Sequence, residues 1–203
     1  MPPYRMPTCI WPVDPMQLVS DFESRHHAAQ AGALTHFGFA TVESLYYLAD
    51  LDTVDDLSQH TFNGHRPDVV DVAHGRWATT GCITALDLFE AALARVFCGH
   101  TADRELSIAD FTTKKKAAQL LAQLPVSAHQ WITDVAADSD YRTVKSLRDS
   151  LVHARVRRHF TMPRQRLQIE AGTARLAVPA VVALSRDTAT KHALAHLAIL
   201  PTL

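Results

Sequence analysis

The sequence predicts an all-α protein, an up-and-down helical bundle with a small C-terminal β-hairpin and a terminal helix. Three observations carry that expectation. Apolar residues recur at helical spacing, most clearly in Cys82, Leu86, Phe89, Leu93 and Phe97. Seven glycines and many alanines in 203 residues favour helices over a β-sandwich. One stretch, Arg166 to Thr173, alternates apolar and polar residues and reaches a turn residue at Gly172, which is a strand-and-turn pattern. The length suits one domain. The bundle is expected over residues 1–162 and the hairpin and helix, as an appendage, over 163–203.

The elements follow in order. Asp14 can cap a first helix and Pro15 suits its first position; Leu18 and Phe22 start its apolar stripe. The Ala-rich stretch to Ala33 is able to continue it. Gly38 is read as a break and Thr41 as the cap of a second helix with Val42, Leu45, Tyr46 and Leu48 on one side. Asp50 to Pro67 is acidic and then turn-rich, with Asn63-Gly64 marking a tight turn, and reads as a loop with room for a short helical turn and a role as a lid. A long helix runs from about Asp68 to Cys98 and stops at Gly99. A helix from about Phe111 to Leu124 turns Leu120, Leu121 and Leu124 inward and Lys114, Lys115 and Lys116 outward, and Pro125 ends it. Ser127 and Gln130 have capping-box spacing before a short helix faced by Trp131, Ile132 and Val135. Asp138 to Asp140 starts a helix over about 141–159. The hairpin returns through Leu176 and Val178, and a terminal helix spans about 187–199.

Composition narrows the function classes. Hydrophobic content is 47% and charged content 20%, enough to bury a core, so disorder is not expected. Cys9, Cys82 and Cys98 are odd in number and widely spaced, which gives no disulfide framework or zinc knuckle and suits a reducing compartment. No run approaches 18 apolar residues and the N-terminus lacks a signal-peptide pattern, so a soluble, cytoplasmic protein without membrane contact is expected. There is no Gly-rich phosphate loop, no Gly-x-Ser-x-Gly and no Cys-x-x-Cys. No cofactor is expected.

The net charge is −1, but the charge is unevenly distributed. Arg142 to Arg166 holds eight Lys/Arg and one acid, Asp149, and so carries +7 against −8 for the remainder. This stretch reads either as a phosphate-attracting patch or as a solvated helix end whose cations suit the dipole. It surrounds Arg148-Asp149-x-x-x-His153. Three Arg/His pairs in the chain have four to six intervening residues: Arg95/His100, Arg148/His153 and Arg186/His192. The first runs off a helix end through Gly99, and Val96 is not polar. The third keeps a polar Asp187 but follows a strand-like segment near the C-terminus. Only Arg148/His153 sits in an amphipathic helix preceded by other helices.

An arginine followed by a polar residue and then by a histidine, in the late helix of a small bundle, resembles the signature of the HEPN superfamily. The resemblance covers about residues 68–159. It implies a homodimer and, in many members, a metal-independent ribonuclease of the toxin or defence type with a composite site at the dimer cleft. It also implies partners such as RNA and a nucleotidyltransferase-type antitoxin. Other proteins resembling this family are inert dimerisation or partner-binding modules.

The helical wheel adds chemistry to the resemblance. With Arg142 at zero and about 100° per residue, Val144, Leu147 and Leu151 cluster near 140–200° and form the buried stripe. Arg148 falls at about 240°, on the shoulder of that stripe, while Asp149 and His153 share a face near zero. His153 can act as general base or acid near neutral pH. Arg148 can hold a phosphate with its planar fork. Asp149 can orient His153, and Arg142, Lys145, Arg155, Arg157 and Arg158 supply RNA-binding charge. Attack by the 2′-hydroxyl would leave a 2′,3′-cyclic phosphate, so DNA would not be a substrate. The rival constellation is His192-Ala-Leu-Ala-His196, whose i, i+4 spacing lets two imidazoles share a metal in a histidine-based metal-binding bundle. No third ligand is named by the sequence.

Overall fold

The computed structural model describes residues 14–26, 31–59, 67–99, 107–108, 111, 119–152, 168–171 and 174–203. Its architecture is a helical bundle with one two-stranded antiparallel sheet. The helices are α1 (Pro15–Arg25), α2 (Ala31–Gln59), α3 (Pro67–Cys98), α4 (Val126–Ala137), α5 (Ser139–Val152) and α6 (Val178–Ile199). The strands β1 (Gln168–Ala171) and β2 (Ala174–Ala177) lie between α5 and α6, and a 3-10 turn at Leu200–Thr202 follows α6.

α1 starts where its signals place it. Asp14 Oδ1 accepts the Met16 amide at 2.9 Å and Pro15 opens the helix. It ends at Arg25, not in the Ala-rich stretch, because His26 leaves helical geometry and its amide closes on the Phe22 carbonyl at 3.1 Å. Phe22 fixes the turn. Its ring lies 4.2 Å from Phe37 and 4.4 Å from His26, and Phe97 stands edge-on at 6.2 Å. At the same end of the molecule, Arg25 donates to the Pro201 and Leu200 carbonyls at 2.6 and 2.7 Å, tying α1 to the C-terminus.

Two sequence expectations fail in α2. Gly38 does not break it, Thr41 does not cap it, and residues 50–59 are helical and not loop. The buried series Phe37, Ala40, Thr41, Ser44, Leu45, Leu48, Leu51 and Val54 continues unbroken at helical spacing. Burial of that stripe outweighs the roughly 1 kcal/mol that one glycine costs. The turn expected at Asn63-Gly64 lies outside the described residues. A Cβ on Gly38 would meet only Glu23 Oε1, the end of a flexible side chain, at 2.8 Å. Gly38→Ala is therefore expected to stabilise the protein by about 0.5–1 kcal/mol, a melting shift of a few degrees by thermal denaturation. An unchanged or lower melting temperature would show that Glu23 cannot move aside.

α3 matches its predicted span to one residue, and Cys82, Leu86, Phe89 and Leu93 are fully buried. Gly99 stops it with φ +64, where glycine is free of strain. Most of the helix expected over 111–124 lies outside the described residues; Leu120 and Leu124 are buried as expected. α4 begins at Val126, directly after Pro125, so Ser127 is already inside the helix and forms no capping box. Its hydroxyl instead accepts from Thr202 Oγ1 at 3.3 Å. Trp131, Ile132 and Val135 face the core as predicted.

The hairpin pairs Gln168 with Ala177 and Ile169 with Leu176. Val178, expected in the return strand, begins α6 instead, nine residues before the expected start of the terminal helix. Val178, Val181, Val182 and Ser185 are spaced for one helix face, and Pro179 is tolerated in the first turn. Nor is α6 peripheral. Ten of its residues are buried, and it packs on α2, α3, α4 and α5. The segment expected as an appendage supplies a core helix. No described helix is long and apolar enough to cross a membrane.

Candidate functional site

The motif helix is α5. Its start is built by Asp138, whose Oδ1 accepts the Asp140 amide at 2.9 Å. Its inward face is Tyr141, Val144, Leu147 and Leu151, all buried to within 1% exposure. The last three are the predicted stripe. Tyr141 was missed; burial pushes its phenol far above the ordinary range, so it is neutral.

The opposite face carries the candidate site. Arg142, Lys145, Ser146, Asp149 and Ser150 line a shallow groove of about 360 Å³. Three of the predicted residues, Arg142, Lys145 and Asp149, are thus brought together. Arg148 sits on the shoulder, its side chain 27% exposed, and its Nε lies 3.2 Å from Asp149 Oδ1. Among the described residues Asp149 is therefore paired with Arg148; the contact with His153 expected from the sequence lies outside them. Arg142 is also engaged, donating from Nη2 to the Ala137 carbonyl at the end of α4. His153, Arg155, Arg157 and Arg158 lie outside the described residues.

The contact that fixes the far end of α5 was missed by the sequence. Arg76 on α3 donates from Nη2 to the Leu151 carbonyl at 3.0 Å. Beside it, Gly75 lets α3 approach the hairpin: a Cβ there would stand 3.0 Å from Ile169 Cδ1 and 3.7 Å from Leu151 Cδ1. The two ends of the motif helix are thus held by different elements, Asp138 at one and Arg76 at the other.

The rival motifs have other roles. Arg186/His192 does lie in a long bundle helix, contrary to the strand-like reading of its surroundings. However, its two side chains go to opposite partners. Arg186 pairs with Asp55 of α2 and with Asp187, while His192 Nε2 donates to Asp138 Oδ2 at 2.6 Å. Lys191 Nζ joins the same oxygen at 2.9 Å, and Trp131 Nε1 donates to the His192 carbonyl at 2.9 Å. Burial works against the Asp138 carboxylate, but the donors from Lys191, the Asp140 amide and His192 outweigh it and bring its pKa down to about 2. Burial lowers that of His192, against the pull of Asp138, so the imidazole sits there as a neutral donor.

His196 does not join His192 in a metal site. Its ring stacks on Phe89 at 4.3 Å and meets Trp131 edge-on at 5.0 Å. It is fully buried, and neither ring nitrogen has a hydrogen-bond partner among the described residues. Burial lowers its pKa to about 3. No group of three His, Cys, Asp or Glu among the described residues could hold a metal. Cys82 is buried and its thiol pushed well up, so it is not a nucleophile.

No family model, curated protein or solved structure matches this chain.

Proposed function

We propose that this chain is a metal-independent endoribonuclease of the HEPN type, of the toxin or defence class, working as a homodimer. The observation that carries the reading is the build of α5. One face is locked into the core, and the other presents Arg142, Lys145 and Asp149 in one groove beside a partly buried Arg148. A helix fixed at both ends can hold catalytic groups in place. His153 follows this helix by one residue and would exchange the proton with the 2′-hydroxyl or the leaving 5′-oxygen. Arg148 would turn from Asp149 to the phosphate and stabilise the phosphorane charge. Lys145, Arg142, Arg155, Arg157 and Arg158 would hold the backbone on either side. An ideal helical wheel separates Arg148 and His153 by about 140°, so a second copy would be needed to close the cleft. An antitoxin of the nucleotidyltransferase type is the partner this reading implies, and the cytoplasm its location.

A second reading has support of its own. Asp149 neutralises Arg148, and one donor of Arg142 is held by the Ala137 carbonyl, an arrangement that an inert dimerisation module would share.

The two are separated by incubating the protein with mixed transfer and messenger RNA in chelator, beside Arg148→Ala and His153→Ala. The ribonuclease reading predicts cleavage by the parent and a loss of at least a hundredfold in each variant. Equal cleavage by all three would place the activity elsewhere, and none by the parent would favour the inert module.

A further inference from the structure

We propose that Arg76 and Trp77 of α3 form a single-stranded RNA subsite, Arg76 taking a phosphate and Trp77 stacking on an unpaired base. The inference rests on the ribonuclease reading and extends its contacts beyond the motif helix. Trp77 is 54% exposed, a large aromatic surface for a residue flanked in sequence by the fully buried Ala78. Arg76 is exposed as well, yet it is not loose: one donor is fixed on the Leu151 carbonyl at 3.0 Å. A guanidinium has five N–H donors, so this anchor holds the side chain in place while leaving donors to spare. Leu151 is three residues past Arg148, roughly 4.5 Å along the helix axis, so the anchored arginine belongs to the same end of α5 as the motif.

The surroundings favour a phosphate. Arg76 is the only Lys, Arg, Asp or Glu from residue 72 to residue 86. Its exposed neighbours on α3 are Ala73 and Thr80, with Thr84 half-buried, so this part of α3 carries no carboxylate to repel a phosphate. A cation one residue from an exposed indole on the same helix can serve two parts of one unstacked nucleotide strand. The ring accepts any base by its face, and the charge takes the backbone. A duplex offers no free base face, so the ligand is single-stranded.

The test uses a mixed-sequence 2′-O-methyl oligonucleotide, which lacks the attacking hydroxyl and reports binding without cleavage. Fluorescence anisotropy of the labelled oligonucleotide is followed for the parent and for Trp77→Ala, Trp77→Phe, Arg76→Ala and Lys145→Ala. Trp77→Ala should bind about tenfold more weakly and Trp77→Phe within about threefold of the parent, since a smaller ring still stacks. Arg76→Ala should weaken binding and lower the salt slope by roughly 0.7. Unchanged binding in the Trp77 and Arg76 variants, with loss in Lys145→Ala, would remove this subsite and leave the ribonuclease reading intact. No binding by the parent would remove both. A Trp77→Ala protein that changes its mass in solution but not its RNA affinity would make this face a contact between copies and overturn the proposal.

Discussion

A chain ending at Met162 should not fold. Sequence alone separates the segment after Pro163 as an appendage, and an appendage can be removed. In the fold, α6 lies against α2, α3, α4 and α5, and its loss would uncover Phe89 and Trp131 together. Ile169, Val178, Val181, Val182, Leu197 and Leu200 would go with it, each at most 5% exposed. Burying each such side chain is worth about 1.5–3 kcal/mol, so the six together, about 9–18 kcal/mol, match the whole of the roughly 5–15 kcal/mol by which a domain is stable. The truncated chain is expected to show no cooperative thermal transition by circular dichroism. A cooperative melt near that of the full chain would mean that α1 to α5 close a core by themselves.

The second large effect is a loss of stability in mild acid centred on His196. The unfolded imidazole titrates at about 6.5, whereas burial between Phe89 and Trp131 holds the folded one down to about 3. The folded state therefore binds fewer protons than the unfolded state throughout that window. Stability is intact above about pH 6.5 and falls as pH drops toward 3, by up to about 1.4 kcal/mol per unit. From pH 7 to pH 5 the parent should lose about 2 kcal/mol, or several degrees of melting temperature. Asp138, with its pKa near 2, adds a further loss only as pH falls from about 3.8 toward 2. His196→Phe removes the titrating group and two nitrogens that have no hydrogen-bond partner among the described residues. Its melting temperature at pH 7 should match or exceed the parent's, with a flatter slope to pH 5. Equal pH slopes in the two proteins would show that the imidazole is protonated without leaving the core.

The contrast between these two features and the motif helix explains what a sequence discloses. The stripe of Val144, Leu147 and Leu151 was legible because burial on one helix leaves a local period, and α3 was legible for the same reason. Continuity of α2 through Gly38 was not, because what outweighs the glycine is burial of the stripe from Phe37 to Val54 against the rest of the fold. The start of α6 was hidden in an apolar run that suits a strand as well as a helix until the spacing of Val178, Val181, Val182 and Ser185 is weighed. In the site, the shared face of Arg142, Lys145 and Asp149 follows from the wheel alone. The pairing of Asp149 with its neighbour Arg148 does not, since side-chain reach overrides angular position. The contacts that hold α5 in place come from far along the chain. His192 is 54 residues from Asp138, and Arg76 is 75 residues from Leu151. No local signal marks either.

The end groups of the cleaved RNA identify the reaction. RNA cleaved in chelator should be analysed for end groups. Attack by the 2′-hydroxyl through His153 and Arg148 predicts 2′,3′-cyclic phosphate on the upstream fragment and a free 5′-hydroxyl on the downstream one. A 5′-phosphate with a 3′-hydroxyl, or cleavage that requires a divalent metal, would rule out this reaction.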